Sequence, residues 1–149
     1  MQALARRIAT TVPDQPIEQL LRVIDELDVE GVLALAAPDV RLLTVDGRRA
    51  AGTTGMRELL TDFLASLRSS THHITAQWHE DDVWIAEVDA TYELRDLTRL
   101  GVLPRAFIVR AGPDGLSDVR VYGAHERPLG ELSSREHEIR LGGHWIPPL

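Results

Sequence analysis

The residues best equipped for chemistry cluster in the middle of the chain, where His72, His73, Gln77, Trp78, His79 and Glu80 are followed closely by Glu87 and Asp89. A histidine within hydrogen-bond reach of a carboxylate is suited to general acid/base work, because the carboxylate fixes the imidazole tautomer and the pair shares a proton near neutral pH. The alternation of polar and apolar residues around these positions predicts two strands joined by an acidic turn, and side chains on a strand alternate faces. A shift of one residue in the hairpin register therefore exchanges every partner. A three-residue loop over Glu80, Asp81 and Asp82 sets His79 opposite Val83 and His73 opposite Asp89. It gathers His73, Thr75, Gln77, Ile85, Glu87, Asp89 and Thr91 on one face, and Ile74, Ala76, Trp78, Trp84, Ala86, Val88, Ala90 and Tyr92 on the other. A two-residue loop instead mixes Trp78 and Ile74 with Glu87 and Asp89. The three-residue loop separates polar from apolar side chains and is the expected one.

Two arrangements of that hairpin remain open. In one, the apolar face packs on helices and His73, Glu87 and Asp89 are ordinary wet residues. In the other, the polar face looks into a cavity and the aromatic face lies in an interface between subunits, as aromatic enrichment suits. The second arrangement makes Asp89 a base and His73 its partner. Glu87, hard to ionise beside Asp89, is then an acid. Gln77, Thr91 and Trp78 become candidate ligand contacts, joined by Tyr122 from the last strand.

Absences narrow the chemistry further. The chain has no Cys, no Lys and no Asn, and all sixteen basic residues are Arg. Schiff bases, thiolate nucleophiles, disulfides and cysteine-held clusters are excluded. No HExxH pattern exists and His72 and His73 point to opposite faces, so no metal is expected. Gly-rich phosphate loops and serine nucleophile elbows are missing as well, which leaves a site without cofactors. Glu18, Asp25, Arg95, Asp96 and Arg99 read as solvated charges. A formal net charge of −7, with no basic run longer than Arg6-Arg7 or Arg48-Arg49, disfavours nucleic acid as a partner. No apolar stretch approaches the ~20 residues of a membrane span and the N-terminus lacks a secretory pattern, so a cytoplasmic protein is expected. The Arg-for-Lys replacement is an association with high-GC bacteria.

The elements that must position these residues follow from periodicity. The 149 residues, 44% hydrophobic, suffice for one domain with a core. Asp14 caps a predicted helix over Gln15 to Leu27, with Pro16 in its first turn and Ile17, Leu20, Leu21, Ile24 and Leu27 at helical spacing. A shorter helix fits Val29 to Ala36, stopped by Pro38. Val40 to Val45 reads as a strand ended by Asp46-Gly47. A Thr cap, Thr53 or Thr54, opens a long helix whose stripe is Met56, Leu59, Leu60, Phe63, Leu64 and Leu67. The period then falls to 2, giving strands over His72 to Glu80, Val83 to Leu94, Arg105 to Ala111 and Val119 to Ala124. Between the second and third of these, Leu97 to Pro104 reads as a loop. The expectation is an α+β fold of three helices followed by four antiparallel strands. Residues 1–13 and 129–149 form extensions on a domain spanning 14–128. Within the latter extension Leu132 to Leu141 can be helical, and Trp145 to Leu149 is an apolar end.

Leu27-Asp28-Val29-Glu30-Gly31, then Ala37-Pro38-Asp39-Val40, Gly52 before the long helix, and Arg120-Val121-Tyr122 in the last strand follow one another as in the nuclear transport factor 2-like superfamily, which the chain resembles from about Ile17 to Pro128. The resemblance implies a cone-shaped, curved antiparallel sheet wrapped around three N-terminal helices, a cystatin-like roll, with homodimers formed through the outer sheet face. The superfamily also contains non-catalytic modules, so fold alone does not assign an activity. Positions matching the ketosteroid isomerase machinery fall near Ile24, Thr44 and Ala106, and that machinery is missing. The Arg-x-Asp of the epoxide hydrolases reads Glu87-Val88-Asp89, and their second Asp falls on Val121. The SnoaL-like polyketide cyclases are more similar, because they place a His and an Asp on neighbouring strands facing the cavity, where this chain has His73 and Asp89. The resemblance implies a cofactor-free cyclase, isomerase, dehydratase or hydrolase acting on a small hydrophobic metabolite, such as a polyketide or terpenoid intermediate of secondary metabolism. A non-catalytic ligand-binding or dimerisation module of the same fold is the alternative, and a protein-interaction subunit a third.

Overall fold

The computed structural model describes residues 15–123, so the two extensions, the Asp14 cap, the helix expected over Leu132 to Leu141 and the apolar C-terminus lie outside the described residues. The first helix, α1 (Pro16–Asp25), begins with proline where a missing N–H leaves no bond unmade, and it buries Ile17, Leu20 and Leu21. The chain leaves α1 through Leu27 at φ 57, with the Leu27 N–H donating to the Ile24 carbonyl at 2.8 Å and the Asp28 N–H to the Val23 carbonyl at 3.0 Å. Asp28 then caps α2 (Val29–Leu35), its carboxylate accepting from the Gly31 N–H at 2.9 Å. A Cβ at Gly31 would lie 2.5 Å from that carboxylate, so glycine keeps the cap in place.

Strand β1 (Ala36–Leu43) starts before the expected Val40 and carries exposed Pro38 in a stretch of irregular pairing, where a missing donor is tolerated. The short β2 (Arg49–Ala51), which periodicity did not suggest, pairs with it antiparallel. Helix α3 (Gly52–Ala65) buries Met56, Leu60 and Leu64 as expected from their spacing. Its cap position is Ala51, with no side-chain cap, so Thr53 and Thr54 lie inside the first turn instead of before it. The chain then runs through β3 (Leu67–Glu80), β4 (Val83–Leu94), β5 (Arg99–Gly112) and β6 (Gly115–Gly123).

The sheet has six strands in the order β2-β1-β6-β5-β4-β3, curved and unclosed. The expected α+β class holds. The all-antiparallel sheet of four strands does not, because β1 pairs with β6 in parallel, with the whole β2-to-β5 segment serving as the long connection such a pair needs. Strand β5 also takes in most of the stretch expected as a loop. Its residues Leu100, Leu103, Arg105, Phe107, Val109 and Ala111 are buried; an irregularity opposite Ala90 and Tyr92 absorbs the apparent breaker Gly101, and Pro104 pairs in register with Asp89 on the exposed side.

The central hairpin corrects the expected loop. Glu80 pairs with Val83, which leaves Asp81-Asp82 as a two-residue turn of the kind that matches strand twist. Pairing jumps from Ile74–Val88 to Ala76–Glu87, so Thr75 is an extra residue, a bulge that restores the register and sets His73 opposite Asp89 after all. Beyond the bulge the faces exchange. Trp78 joins Ile85 on the outer face and Gln77 joins Ala86 on the inner one.

The helices cover that inner face. Ile17, Leu20, Val32, Val40, Met56, Val88, Val109 and Leu116 are each at most 1% exposed, and each contributes about 1.5–3 kcal/mol of burial.

Candidate functional site

Asp25 closes the last turn of α1, four residues after Leu21 and therefore on the helix's packed side. Opposite it, Ser70 and His72 of β3 share the inner face, and Tyr92 of β4 lies directly across from Ser70. These four side chains from three elements form one continuous hydrogen-bonded chain. The Asp25 carboxylate accepts from the Ser70 hydroxyl at 2.8 Å, from the His72 backbone N–H at 3.0 Å, and from His72 Nδ1 at 2.6 Å. His72 Nε2 lies 3.0 Å from the Tyr92 hydroxyl. A carboxylate has no proton to give, so Nδ1 carries the hydrogen. In the neutral ring, Nε2 presents its lone pair to the Tyr92 O–H.

The His72 side chain is 1% exposed, while that of Asp25 is 26% exposed. Proton-bearing groups are thus dry at the tyrosine end and meet water at the aspartate end. Edge-on aromatic contacts hold both rings, with Phe63 against Tyr92 at 5.4 Å and Phe107 against His72 at 5.9 Å between centroids.

His72 and Tyr92 line a cavity of about 360 Å³. Most of its wall is hydrocarbon: Leu20 and Ile24 of α1, Val32 of α2, Leu42 of β1, Met56, Leu59, Leu60 and Phe63 of α3, Phe107 of β5, and Val119 and Val121 of β6. Arg105 of β5, 3% exposed, also lines it. The remaining lining residues, Thr44, Val45, Asp46 and Arg48, belong to the β1–β2 turn. There the Thr44 hydroxyl bonds to Asp46, and Arg48 Nε reaches Asp46 at 2.8 Å while its Nη1 reaches Asp62 at 3.3 Å. The Thr44 hydroxyl, aided by Arg48 and opposed by partial desolvation, holds the Asp46 carboxyl below its usual pKa.

The cavity is built from the face opposite to the one expected. His73 and Asp89 are paired across the strands, but on the outer side, with His73 exposed and Asp89 half-buried. Glu87 is exposed on that side too, Trp78 is 52% exposed and Tyr122 41% exposed. Thr91 is half-buried on the same side. Gln77 is half-buried on the inner face, its amide donating to the Gln15 side chain at 3.0 Å. None of these residues lines the cavity. The reason is energetic: packing Ala86, Val88 and Ala90 under the helices gains hydrophobic burial, whereas turning Glu87 and Asp89 inward would strip water from two carboxylates.

Sequence reasoning set aside two residues of this hydrogen-bonded chain, Asp25 as a solvated charge and His72 as a possible metal ligand pointing to the face opposite His73. Both carried a signal. Asp25 continues the apolar stripe of α1, and His72 shares the parity of Ile74, whose partner Val88 is unmistakably core.

The profile of the SnoaL-like domain family matches residues 17–123, nearly the whole described region. Among solved structures, the chain is similar to a hypothetical protein with a ketosteroid isomerase-like fold from Catenulispora acidiphila, crystallised with trimethylamine, at 14% identity and a TM-score of 0.66 over 85% of this chain and 95% of that one. It is also similar to SalBIII, an epoxide hydrolase/cyclase-like enzyme of pyran ring formation in the polyether salinomycin, at 14% identity and a TM-score of 0.65 over 83% and 95%. An LEH-like epoxide hydrolase of M. tuberculosis aligns at 14% identity and a TM-score of 0.64 over 74% and 80%. At such identities the likeness is one of fold. A comparison with curated proteins found no match. With the family profile extending from the first turn of α1 to the last residue of β6, over an architecture shared with these structures, the chain belongs to the SnoaL-like domain family.

Proposed function

We propose that this protein is a cofactor-free acid/base enzyme that binds a small, largely apolar molecule in the cavity and moves a proton on it through Tyr92, His72 and Asp25. The observation that carries this reading is the buried imidazole, held between a carboxylate and a phenol at the wall of a cavity otherwise lined by hydrocarbon. Pockets of about 300–1,000 Å³ with few convergent polar groups are the usual form of small-molecule sites. A proton taken from the bound molecule by the Tyr92 oxygen is balanced by transfer of the tyrosine's own proton to His72 Nε2. The resulting imidazolium is stabilised by Asp25, and the same steps in reverse return a proton to another atom of the substrate. Isomerisation, dehydration and ring closure all use such a transfer, and the enzymes named above make ring closure or epoxide opening the first reactions to assay.

The test is turnover of a panel of small cyclic ketones, epoxides and β-hydroxy ketones by the wild type, His72→Gln and Tyr92→Phe. Loss of about 10²–10⁴-fold in rate in both variants, the range of general acid/base contributions, supports the reading. Full turnover in His72→Gln sinks it. If Asp89→Asn and His73→Ala abolish turnover instead, the outer-face pair implied by the family resemblance is the site. A fold that only binds ligands predicts saturable cavity binding and no turnover by any variant.

We further propose that the protein is a homodimer through the outer sheet face, where Trp78, Ile85 and Ile108 form one row across β3, β4 and β5.

A further inference from the structure

We infer that the cavity selects molecules bearing an anionic oxygen, a carboxylate, phenolate or enolate on a small carbon skeleton, and that Arg105 is the residue that selects them. This rests on the proposed function of the same cavity and adds the class of ligand to it. Arg105 lies opposite Val88 on the inner face of β5, 3% exposed, in a wall made mainly of Leu, Ile, Val and Phe side chains. A guanidinium carries its N–H donors in a rigid planar fork whose geometry matches the oxygens of a carboxylate or enolate, and Arg105 lines the cavity while engaged with the protein. Charge-assisted bonds of this kind are roughly twice as strong as neutral ones and gain further in a site from which water is excluded.

The Arg105 side chain passes close against the backbone of β6. Gly123, the last residue of β6 and Cα partner of Arg105, adopts φ 152, and a Cβ there would stand 2.4 Å from the Pro104 carbonyl oxygen, 3.1 Å from Arg105 Cδ and 3.2 Å from Nη1. The arginine runs against bare backbone, in a space that any other residue at 123 would invade. On the same sheet face, with Phe107 of the same strand packed on His72 at 5.9 Å between ring centroids, lies the Tyr92–His72–Asp25 chain proposed to move protons. A buried cation and a proton relay facing one apolar space fit a substrate whose charge sits on oxygen in the ground state or develops there as a proton leaves carbon.

The experiment compares isosteric pairs in the full chain, with cyclohexanecarboxylate against cyclohexanecarboxamide and 4-nitrophenolate against 4-nitroaniline, each titrated while amide and arginine Nε signals are followed by NMR. The expected result is that at least one anion binds about tenfold or more tightly than its neutral partner, shifts the Arg105 Nε and Phe107 signals, and keeps that preference at high salt. Which pair shows the preference tells carboxylate from phenolate. Arg105→Gln should abolish the preference and still bind the neutral compound, and Arg105→Lys should retain part of it. Equal or tighter binding of both neutral partners by the wild type overturns the inference, whether or not the variants fold. So does a preference that survives in Arg105→Gln. Absence of turnover in the panel above, with the anion preference intact, defeats the catalytic reading alone. Failure of every compound to reach the cavity defeats both.

Discussion

A carboxylate that accepts three hydrogen bonds, as Asp25 does from Ser70 and twice from His72, organises everything attached to it. Without it the His72 Nδ1–H is left with only the Ser70 hydroxyl, 3.5 Å away, and the ring loses the carboxylate that fixes its tautomer. Asp25→Ala should destabilise the protein by about 1–3 kcal/mol in urea unfolding, the cost of leaving buried donors unmatched. The wild-type ring should carry its hydrogen on Nδ1 in long-range nitrogen–proton spectra. An Nε2–H tautomer would contradict the bonding order described here. A second carboxylate, Asp46, behaves differently because it is largely in water. Its folded-state pKa is depressed, chiefly by the Thr44 hydroxyl and then by Arg48, so its stabilising contribution is fully present above the unfolded value of about 3.8 and fades as pH falls through the lower folded value. Asp46→Asn should therefore flatten the acid limb of the stability profile below pH ~4, and the change should be small because solvent screens the exposed Asp46–Arg48 pair.

Elements set these residues in place through their ends. Helix α1 delivers Asp25 only because it stops there and turns through Leu27 into the Asp28 cap of α2. Asp28→Ala should cost about 1 kcal/mol of stability and, by loosening the α1–α2 junction, broaden the NMR signals of Asp25 and His72. Loss of stability with those signals unchanged would show that the junction does not govern the site. Strand β3 works by a different device. Its bulge at Thr75 separates a segment with His72 inward from one with Trp78 outward, so the strand serves the cavity at one end and the outer surface at the other.

The outer surface matters for the molecule as a whole. Trp78 and Tyr122 are 52% and 41% exposed on it, and the half-buried Ile85 and Ile108 join Trp78 in one row. Aromatic side chains of this kind dominate the energetics of subunit interfaces. Light scattering of the full chain should give twice the mass of one chain, and Trp78→Glu should shift it to the monomer without loss of helix content. A monomeric wild type at micromolar concentration would remove the dimer proposal.

The sequence by itself determined the three helices and the central parts of the long strands, though not the starts of β3 at Leu67 and β5 at Arg99, because periods of 3.6 and 2 are local properties and the stripes from Ile17 to Ile24 and from Met56 to Leu64 leave few alternatives. It also determined the chemistry excluded by the absence of Cys and Lys, and the family resemblance carried by residues 17–128. Tertiary structure alone decided which face of the hairpin is inside. That choice rests on burying Ala86, Val88 and Ala90 beneath the helices, while the extra residue at Thr75 and the two-residue turn decide which residues of β3 share that face, an effect on parity that is invisible until β3 and β4 are paired. It likewise decided that Asp25 is a partner and not a solvated charge, since 47 residues separate it from His72 along the chain and only the packing of α1 on the sheet brings them to 2.6 Å.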